Sequence, residues 1–172
     1  MAAKQWDTPP AMTIDPKKNY TATITTARGD IVIKLRPDIA PQSVNSFVFL
    51  AKEGFYDGLT WHRVLENFMA QGGDPTGTGT GSAGYRLPAE FTDKILFNAP
   101  GKLAMARAAD PNSAGSQFFI TTAACEWLNK QYTIFGEVTK GQDVVQAIPL
   151  RDPAGRAKGE GEKILKVTIT EG

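Results

Sequence analysis

Apolar and polar positions alternate from Tyr20 to Thr26 and again from Ile31 to Leu35, two β-branched runs separated by Ala-Arg-Gly-Asp. The alternation predicts two paired strands, each with one buried face, and Gly29 stands at the permissive position of a hairpin turn. The period then changes. From Pro41 onward, Val44, Phe47, Val48, Leu50 and Ala51 recur at near-helical spacing, and Gly54 stands where a C-terminal capping glycine belongs. Short strand patterns return near Thr60 to Leu65, Phe68 to Gly72, Lys102 to Ala106, Gln117 to Thr121, Tyr132 to Val138 and Lys163 to Thr170. A second helix is expected from Gln142 to Ala147, where Val144, Val145 and Ile148 form a partial apolar face before Pro149 stops it.

Two helices among about eight strands, with no regular βαβ alternation and no repeat period, predict a closed barrel rather than a doubly wound sheet or a solenoid. Residues 1–19, with Pro9, Pro10 and Pro16 among polar neighbours, read as an irregular extension that either wraps the domain or hangs free. Residues 20–172 form the folded domain, in which Arg151 to Gly161 is a polar, glycine-containing loop.

A chain of 172 residues is the size of one domain and buries roughly 70% of its unfolded surface, enough for a sizeable core. Nineteen Lys and Arg against 18 Asp and Glu leave a net charge of +1, so no global field favours nucleic acid or an anionic membrane. The single cysteine, Cys125, excludes an internal disulfide framework, and one histidine with one cysteine makes no ordinary structural zinc site. No apolar run approaches the roughly 18–20 residues of a membrane span. Met1 to Tyr20 carries Lys4, Asp7 and Asp15 where a signal peptide needs an apolar stretch, so a cytoplasmic location is expected.

Candidate chemistry concentrates in WHRVLENFMAQGGD, Trp61 to Asp74, and in SQFFIT, Ser116 to Thr121. In a strand, Arg63 points opposite to His62 and Val64, while Phe68 and Ala70 oppose Met69 and Gln71. Arg63, Met69 and Gln71 can therefore line one site offering a planar cation, an amide and an apolar floor, without a nucleophile or a proton shuttle. That set suits conformational rather than covalent chemistry, although most arginines are simply surface residues. By the same parity His62, the only histidine, points toward packing, which removes the base of a Ser-His-Asp or Cys-His mechanism. Cys125 precedes Glu126 rather than a basic residue that would lower its pKa, so no thiol chemistry is expected. Of the consecutive Phe118 and Phe119, one faces the core; the other either binds a ligand or is itself covered, and the pattern favours cover. Trp127 and Leu128 read equally as packing. Gly79 to Gly84 satisfies G-x-G-x-x-G without the flanking strand and helix of a dinucleotide site and reads as a surface loop. Arg28-Gly29-Asp30 reads as a turn.

Three separated blocks carry a more specific signal: FYDGLTWHRVLENFMAQGGDPTGTG from Phe55, LAMARAADPNSAGSQFFIT from Leu103 and EWLNKQYTIFGEV from Glu126. Together, and in this order, they resemble the cyclophilin family of peptidyl-prolyl cis-trans isomerases, in its compact, bacterial-like form, over about Tyr20 to Ile169. The resemblance implies a mostly β fold, an eight-stranded antiparallel barrel closed by two α-helices, with a peptide groove on its outer surface. It implies that Arg63 is the catalytic arginine, that Gln71 is its polar partner, that Phe68, Met69, Phe119 and Leu128 form a proline pocket, and that Ala106, Gln117 and Trp127 form its rim. Two positions depart from the family. Tyr132 stands where a histidine is common, and Arg107 replaces a frequent asparagine, adding a charge that bears on substrate choice.

The function so implied is acceleration of rotation about Xaa-Pro bonds in folding or folded proteins, with Arg63 donating to the proline nitrogen and with no cofactor. The implied partners are proline-containing peptides, protein clients and cyclosporin-type cyclic peptides, with monomer as the default state. The alternatives are a proline-binding or chaperone-like module with little turnover, or a barrel enclosing a small apolar ligand.

Overall fold

The first alternating run becomes β1 (Tyr20–Thr26), with Tyr20, Ala22, Ile24 and Thr26 buried and the threonines between them half-buried. It pairs antiparallel with β2 (Gly29–Leu35) from Thr26↔Gly29 onward. The turn is therefore Ala27-Arg28, and the ladder starts two residues earlier than the apolar pattern marks. Gly29 and Asp30 lack apolar side chains to announce it. The Thr26 hydroxyl closes the turn, accepting from the Arg28 N–H and donating to the Gly29 carbonyl.

Helix α1 (Pro41–Lys52) buries Val44, Phe47, Val48, Leu50 and Ala51. Its N-cap, Ala40, has no side-chain acceptor, and the distant Glu90 carboxylate takes the orphan N–H groups of Gln42 and Ser43 instead. At the other end Gly54 adopts φ 71°, so that the Gly54 N–H reaches the Ala51 carbonyl and the Phe55 N–H the Leu50 carbonyl, a Schellman ending. The remaining elements are β3 (Arg63–Leu65), β4 (Met69–Gly72), β5 (Lys102–Met105), β6 (Phe118–Thr121), a 3-10 turn (Glu126–Leu128), β7 (Ile134–Lys140), α2 (Gln142–Ala147) and β8 (Lys166–Glu171). Tyr132 thus precedes its strand rather than opening it, and Thr60 and Lys163 meet only in an isolated bridge.

The computed structural model of the chain describes residues 4–155 and 160–171; positions 156–159 of the polar loop expected at Arg151 to Gly161 lie outside the described residues. The strands form one antiparallel sheet in the order β3-β4-β6-β5-β7-β2-β1-β8. This corrects the closed barrel: the sheet is an open, curled half-barrel whose edges, β3 and β8, share no ladder. Isolated contacts join the segments beside those edges, among them Trp61 N–H to the Glu162 carbonyl at 2.8 Å and paired bonds between Val64 and Arg151. β3 is only three residues long, and beside it Gly161 permits the close approach of the two segments, since a side chain there would strike the Trp61 carbonyl.

The concave side is filled by rings. Phe47 packs 5.2–5.5 Å from Tyr56, Phe118 and Phe135, and Trp61 meets Phe118 edge-on at 5.7 Å. All five are fully buried, so aromatic rings occupy the interior that a barrel enclosing a small apolar ligand would keep open. The N-terminal segment wraps rather than hangs. Trp6 packs edge-on against Phe49 at 5.1 Å, its backbone N–H donates to the Ala83 carbonyl, and the Asn45 amide accepts from the Thr13 N–H and donates to the Ala11 carbonyl. No helix among the described residues is long and apolar enough to cross a membrane.

Candidate active site

The register across four strands sets one row of side chains on the convex face. Arg63 on β3 lies opposite Gln71 on β4, Gln71 opposite Phe119 on β6, and Phe119 opposite Ala104 on β5. One residue along, Val64, Ala70, Ile120 and Leu103 form the matching row in the core. Strand parity thus sends Arg63 and Gln71 outward and their neighbours inward. His62 obeys it, being 1% exposed.

Arg63, Met69, Gln71 and Phe119 border a cleft of about 130 Å³, completed by Phe68, Ala106, Arg107, Leu128 and Tyr132. Strand parity alone sets Phe68 on the face opposite Met69, whereas the family resemblance sets both in one pocket. Phe68 lines the cleft because it lies in the turn before β4, where Asn67 has φ 52° and alternation does not hold. Leu128 comes from the 3-10 turn and is buried, whereas its neighbour Trp127 is 63% exposed and packs 5.7 Å from Phe68, outside the cleft. Gln117 also stands outside it, bordering an adjoining cleft of about 420 Å³ that shares Gln71, Ala106 and Arg107. Both Phe118 and Phe119 are buried, the latter at 4%, yet Phe119 still presents part of its ring to the cleft.

Phe119 is backed by a residue that pattern reading missed. Phe97 stacks on it at 6.0 Å and 11°, and with Ile95 joins Met69, Ala104, Cys125, Leu128 and Ile134 in a second apolar cluster beneath the cleft. The apolar run Ile95-Leu96-Phe97 was the available signal, but it falls in an irregular segment with no periodicity. The Phe97 N–H is held by the Asn129 side-chain oxygen at 2.7 Å.

The polar side is a relay of amides. Gln117 spends its NH₂ on the carbonyls of Gly79 and Gly81, and its oxygen accepts from the Gln71 NH₂ at 2.8 Å. The amide orientations follow from this network and leave the Gln71 oxygen as the acceptor available to a ligand. The glycine-rich loop hangs in turn on Asp74, which is buried and accepts from the backbone N–H groups of Thr76, Gly79 and Gly81 and from the Thr76 hydroxyl. Burial alone would raise the Asp74 pKa; the hydrogen bonds from Thr76, Gly81 and Gly79 outweigh it and hold the carboxyl below its ordinary value. No helix or strand follows this loop before β5, so it is not a dinucleotide site.

Among the described residues no carboxylate pairs with Arg63, so its planar fork of donors faces the cleft and solvent. Burial pushes the His62 pKa below the ordinary 6.5, against the opposing charge of Asp74 and a polar contact with the Gln117 side chain. Burial likewise raises the Cys125 thiol, which makes a poor nucleophile of it. A larger cleft of about 660 Å³ borders Val64, Leu65, Pro149 and Leu150 and shares no lining residue with the smaller one. No group of three or more His, Cys, Asp or Glu among the described residues could hold a metal ion. The site joins a cationic donor and an amide to apolar walls, a set able to bind and twist an amide rather than cleave it.

Residues 21–171 match the sequence pattern of the family described as Cyclophilin type peptidyl-prolyl cis-trans isomerase/CLD. Peptidyl-prolyl cis-trans isomerase A of Mycobacterium tuberculosis is 45% identical over 155 residues, which cover 80% of this chain and 85% of that protein. Peptidyl-prolyl cis-trans isomerase CYP57 of Arabidopsis thaliana is 45% identical over 129 residues, 73% of this chain, but the match spans only 26% of its greater length. A crystal structure of a Cryptosporidium parvum cyclophilin type peptidyl-prolyl cis-trans isomerase, determined in the presence of the dipeptide Ala-Pro, has a TM-score of 0.79 at 30% identity and covers 87% of this chain and 98% of that one. With the family pattern running from β1 to β8, and the mycobacterial protein alike over most of both lengths, the chain belongs to the cyclophilin family of peptidyl-prolyl cis-trans isomerases.

Proposed function

We propose that the cleft beside Arg63 is where this chain isomerises Xaa-Pro bonds of peptides and protein clients, assisting folding where that rotation is slow, and that Arg63 is its catalytic group. The observation that carries the reading is the convex row, which sets the Arg63 fork beside the Gln71 amide and the Phe119 ring. The Cryptosporidium parvum structure determined with Ala-Pro supports a proline-containing ligand for this fold.

An Xaa-Pro amide resists rotation because its C–N bond is partly double, with a barrier of ~18–20 kcal/mol and spontaneous exchange in about 10–100 s. When the amide twists, resonance is lost and the proline nitrogen regains a lone pair. A hydrogen bond from the Arg63 guanidinium to that nitrogen exists only in the twisted state, so it stabilises the transition state over both ground states. Phe68, Met69, Phe119 and Leu128 hold the proline ring and shield the amide from water, which disfavours its polar planar form, while the Gln71 oxygen accepts from the peptide backbone. Reaching milliseconds takes roughly 10⁴-fold, or about 5.5 kcal/mol. One preorganised donor in a water-poor site supplies on the order of 3–4 kcal/mol, and ring capture and desolvation supply the rest. Neither a covalent bond nor a proton transfer is required.

Trp127, exposed beside Phe68, extends the apolar surface outward and supports binding of cyclosporin-type cyclic peptides; competition of such a peptide with an Ala-Pro substrate checks this. The isomerase reading is tested by NMR exchange of a short Ala-Pro peptide with catalytic amounts of protein. Cross-peaks between the cis and trans forms on the millisecond scale are expected. Peptide binding without exchange would instead make the chain a proline-binding module.

A further inference from the structure

Arg107 spends its side chain on the protein. Its Nε and Nη2 donate to the Gln131 carbonyl at 3.0 and 2.8 Å, and its Nη1 donates to the carbonyls of Ala108 and Ala109 at 2.9 and 3.3 Å. The guanidinium carbon also lies 4.6 Å above the centre of the Tyr132 ring. Among the described residues no carboxylate pairs with it. One planar group thus ties the segment leaving β5 to the turn that precedes β7 and caps the face of the first side chain after that turn. Within that turn Lys130 adopts φ 60°, a conformation that L side chains rarely take.

Tyr132 passes this constraint to the cleft. Its ring meets Phe119 edge-on at 5.7 Å and 85°, and Arg107, Tyr132 and Phe119 all border the same cleft. We propose that Arg107 is a positioning residue that holds the Tyr132 ring as a fixed wall of the cleft, setting the affinity for the proline ring rather than meeting the substrate as a free charge. The proposal rests on the reading of that cleft as the proline site. It also makes Arg107 and Tyr132 one coupled feature: the guanidinium has the planar face and fork needed to stack on the phenol while gripping carbonyls, and an ammonium has neither.

The test compares Arg107→Ala, Arg107→Lys, Tyr132→Ala and the Arg107→Ala/Tyr132→Ala pair with the natural chain, reading KM and kcat for an Ala-Pro peptide and the aromatic NMR resonances of Tyr132. Both Arg107 variants are expected to raise KM about tenfold while kcat changes less than about threefold. In both, the Tyr132 resonances shift and sharpen as the ring gains freedom, and Arg107→Ala adds nothing once Tyr132 is alanine. A wild-type KM in Arg107→Lys would overturn the proposal in favour of a simple charge effect. Unchanged Tyr132 resonances in Arg107→Ala, or penalties that add in the double variant, would also overturn it. If the natural chain binds the peptide without turning it over, the isomerase reading fails alone. The peptide dissociation constant then replaces KM in the same cycle, and the ring resonances still decide the clamp.

Discussion

Gln117 accepts the Gln71 amide across 2.8 Å while its own NH₂ is held by the carbonyls of Gly79 and Gly81. The glycine-rich loop therefore dictates which end of the Gln71 amide faces the cleft. Gln117→Leu keeps much of the bulk and removes the relay. It should lower kcat/KM about tenfold by letting Gln71 turn, and cost about 1–2 kcal/mol through the carbonyls left unpaired. Steady-state assays beside a thermal melt check both, and unchanged kcat/KM would show that Gln71 needs no such orientation.

Phe97 does not border the cleft, yet it stacks on Phe119 and is fully buried. Phe97→Ala should destabilise the fold by about 3–5 kcal/mol through the cavity it leaves. At temperatures where the variant stays folded, it should also weaken peptide binding, because Phe119 can sink into the space. Denaturant melts and peptide titration measure the two effects separately.

His62 supplies a pH dependence of stability whose sign follows from burial. Its folded pKa lies below the ordinary 6.5, so below about pH 6.5 the unfolded chain takes up a proton that the folded chain refuses. This contribution is complete above the unfolded pKa and is lost as pH falls toward the folded one. Stability should decline from pH 7 to 5, and His62→Phe, which removes the titrating ring, should flatten that slope. Melts across this range decide the matter; an equal slope in both proteins would assign the titration elsewhere. Asp74, with its lowered pKa, adds a loss of the same direction at more acid pH, below its ordinary 3.8.

Trp6 anchors the N-terminal wrap on Phe49 and Phe55, and its backbone holds Ala83 at the end of the glycine-rich loop. Trp6→Ala should cost about 3 kcal/mol or less, since the ring is only partly buried. It should also speed amide hydrogen exchange between residues 79 and 84. Protection unchanged in that loop would mean that Asp74 and Gln117 secure it without the Trp6 anchor.

Strand periodicity made the heart of the site legible. Arg63 and Gln71 sit on regular β3 and β4, where alternation gives each side chain a definite face, and His62 falls inward for the same reason. The method stops where the backbone leaves that regime. Phe68 follows the left-handed Asn67, and Phe97 lies in a segment without regular structure, so neither position carries a period to read. Likeness to a family, rather than parity, brought Phe68 and Leu128 into the expected set. Sheet closure was beyond reach because the strand count does not reveal whether the two edge strands pair, and here they share no ladder. The role of Arg107 depends on carbonyls at 108, 109 and 131, which no side-chain pattern encodes.

The central claim is that Arg63 stabilises the twisted amide, and cis/trans exchange of an Ala-Pro peptide by NMR, with the natural chain, Arg63→Ala and Arg63→Lys, tests it most directly. Loss of one transition-state donor predicts a fall in kcat of about 10²–10³-fold for Arg63→Ala with peptide affinity nearly kept, and a clear impairment for Arg63→Lys, whose ammonium lacks the planar fork. Near-normal exchange in a folded Arg63→Ala variant would contradict the account.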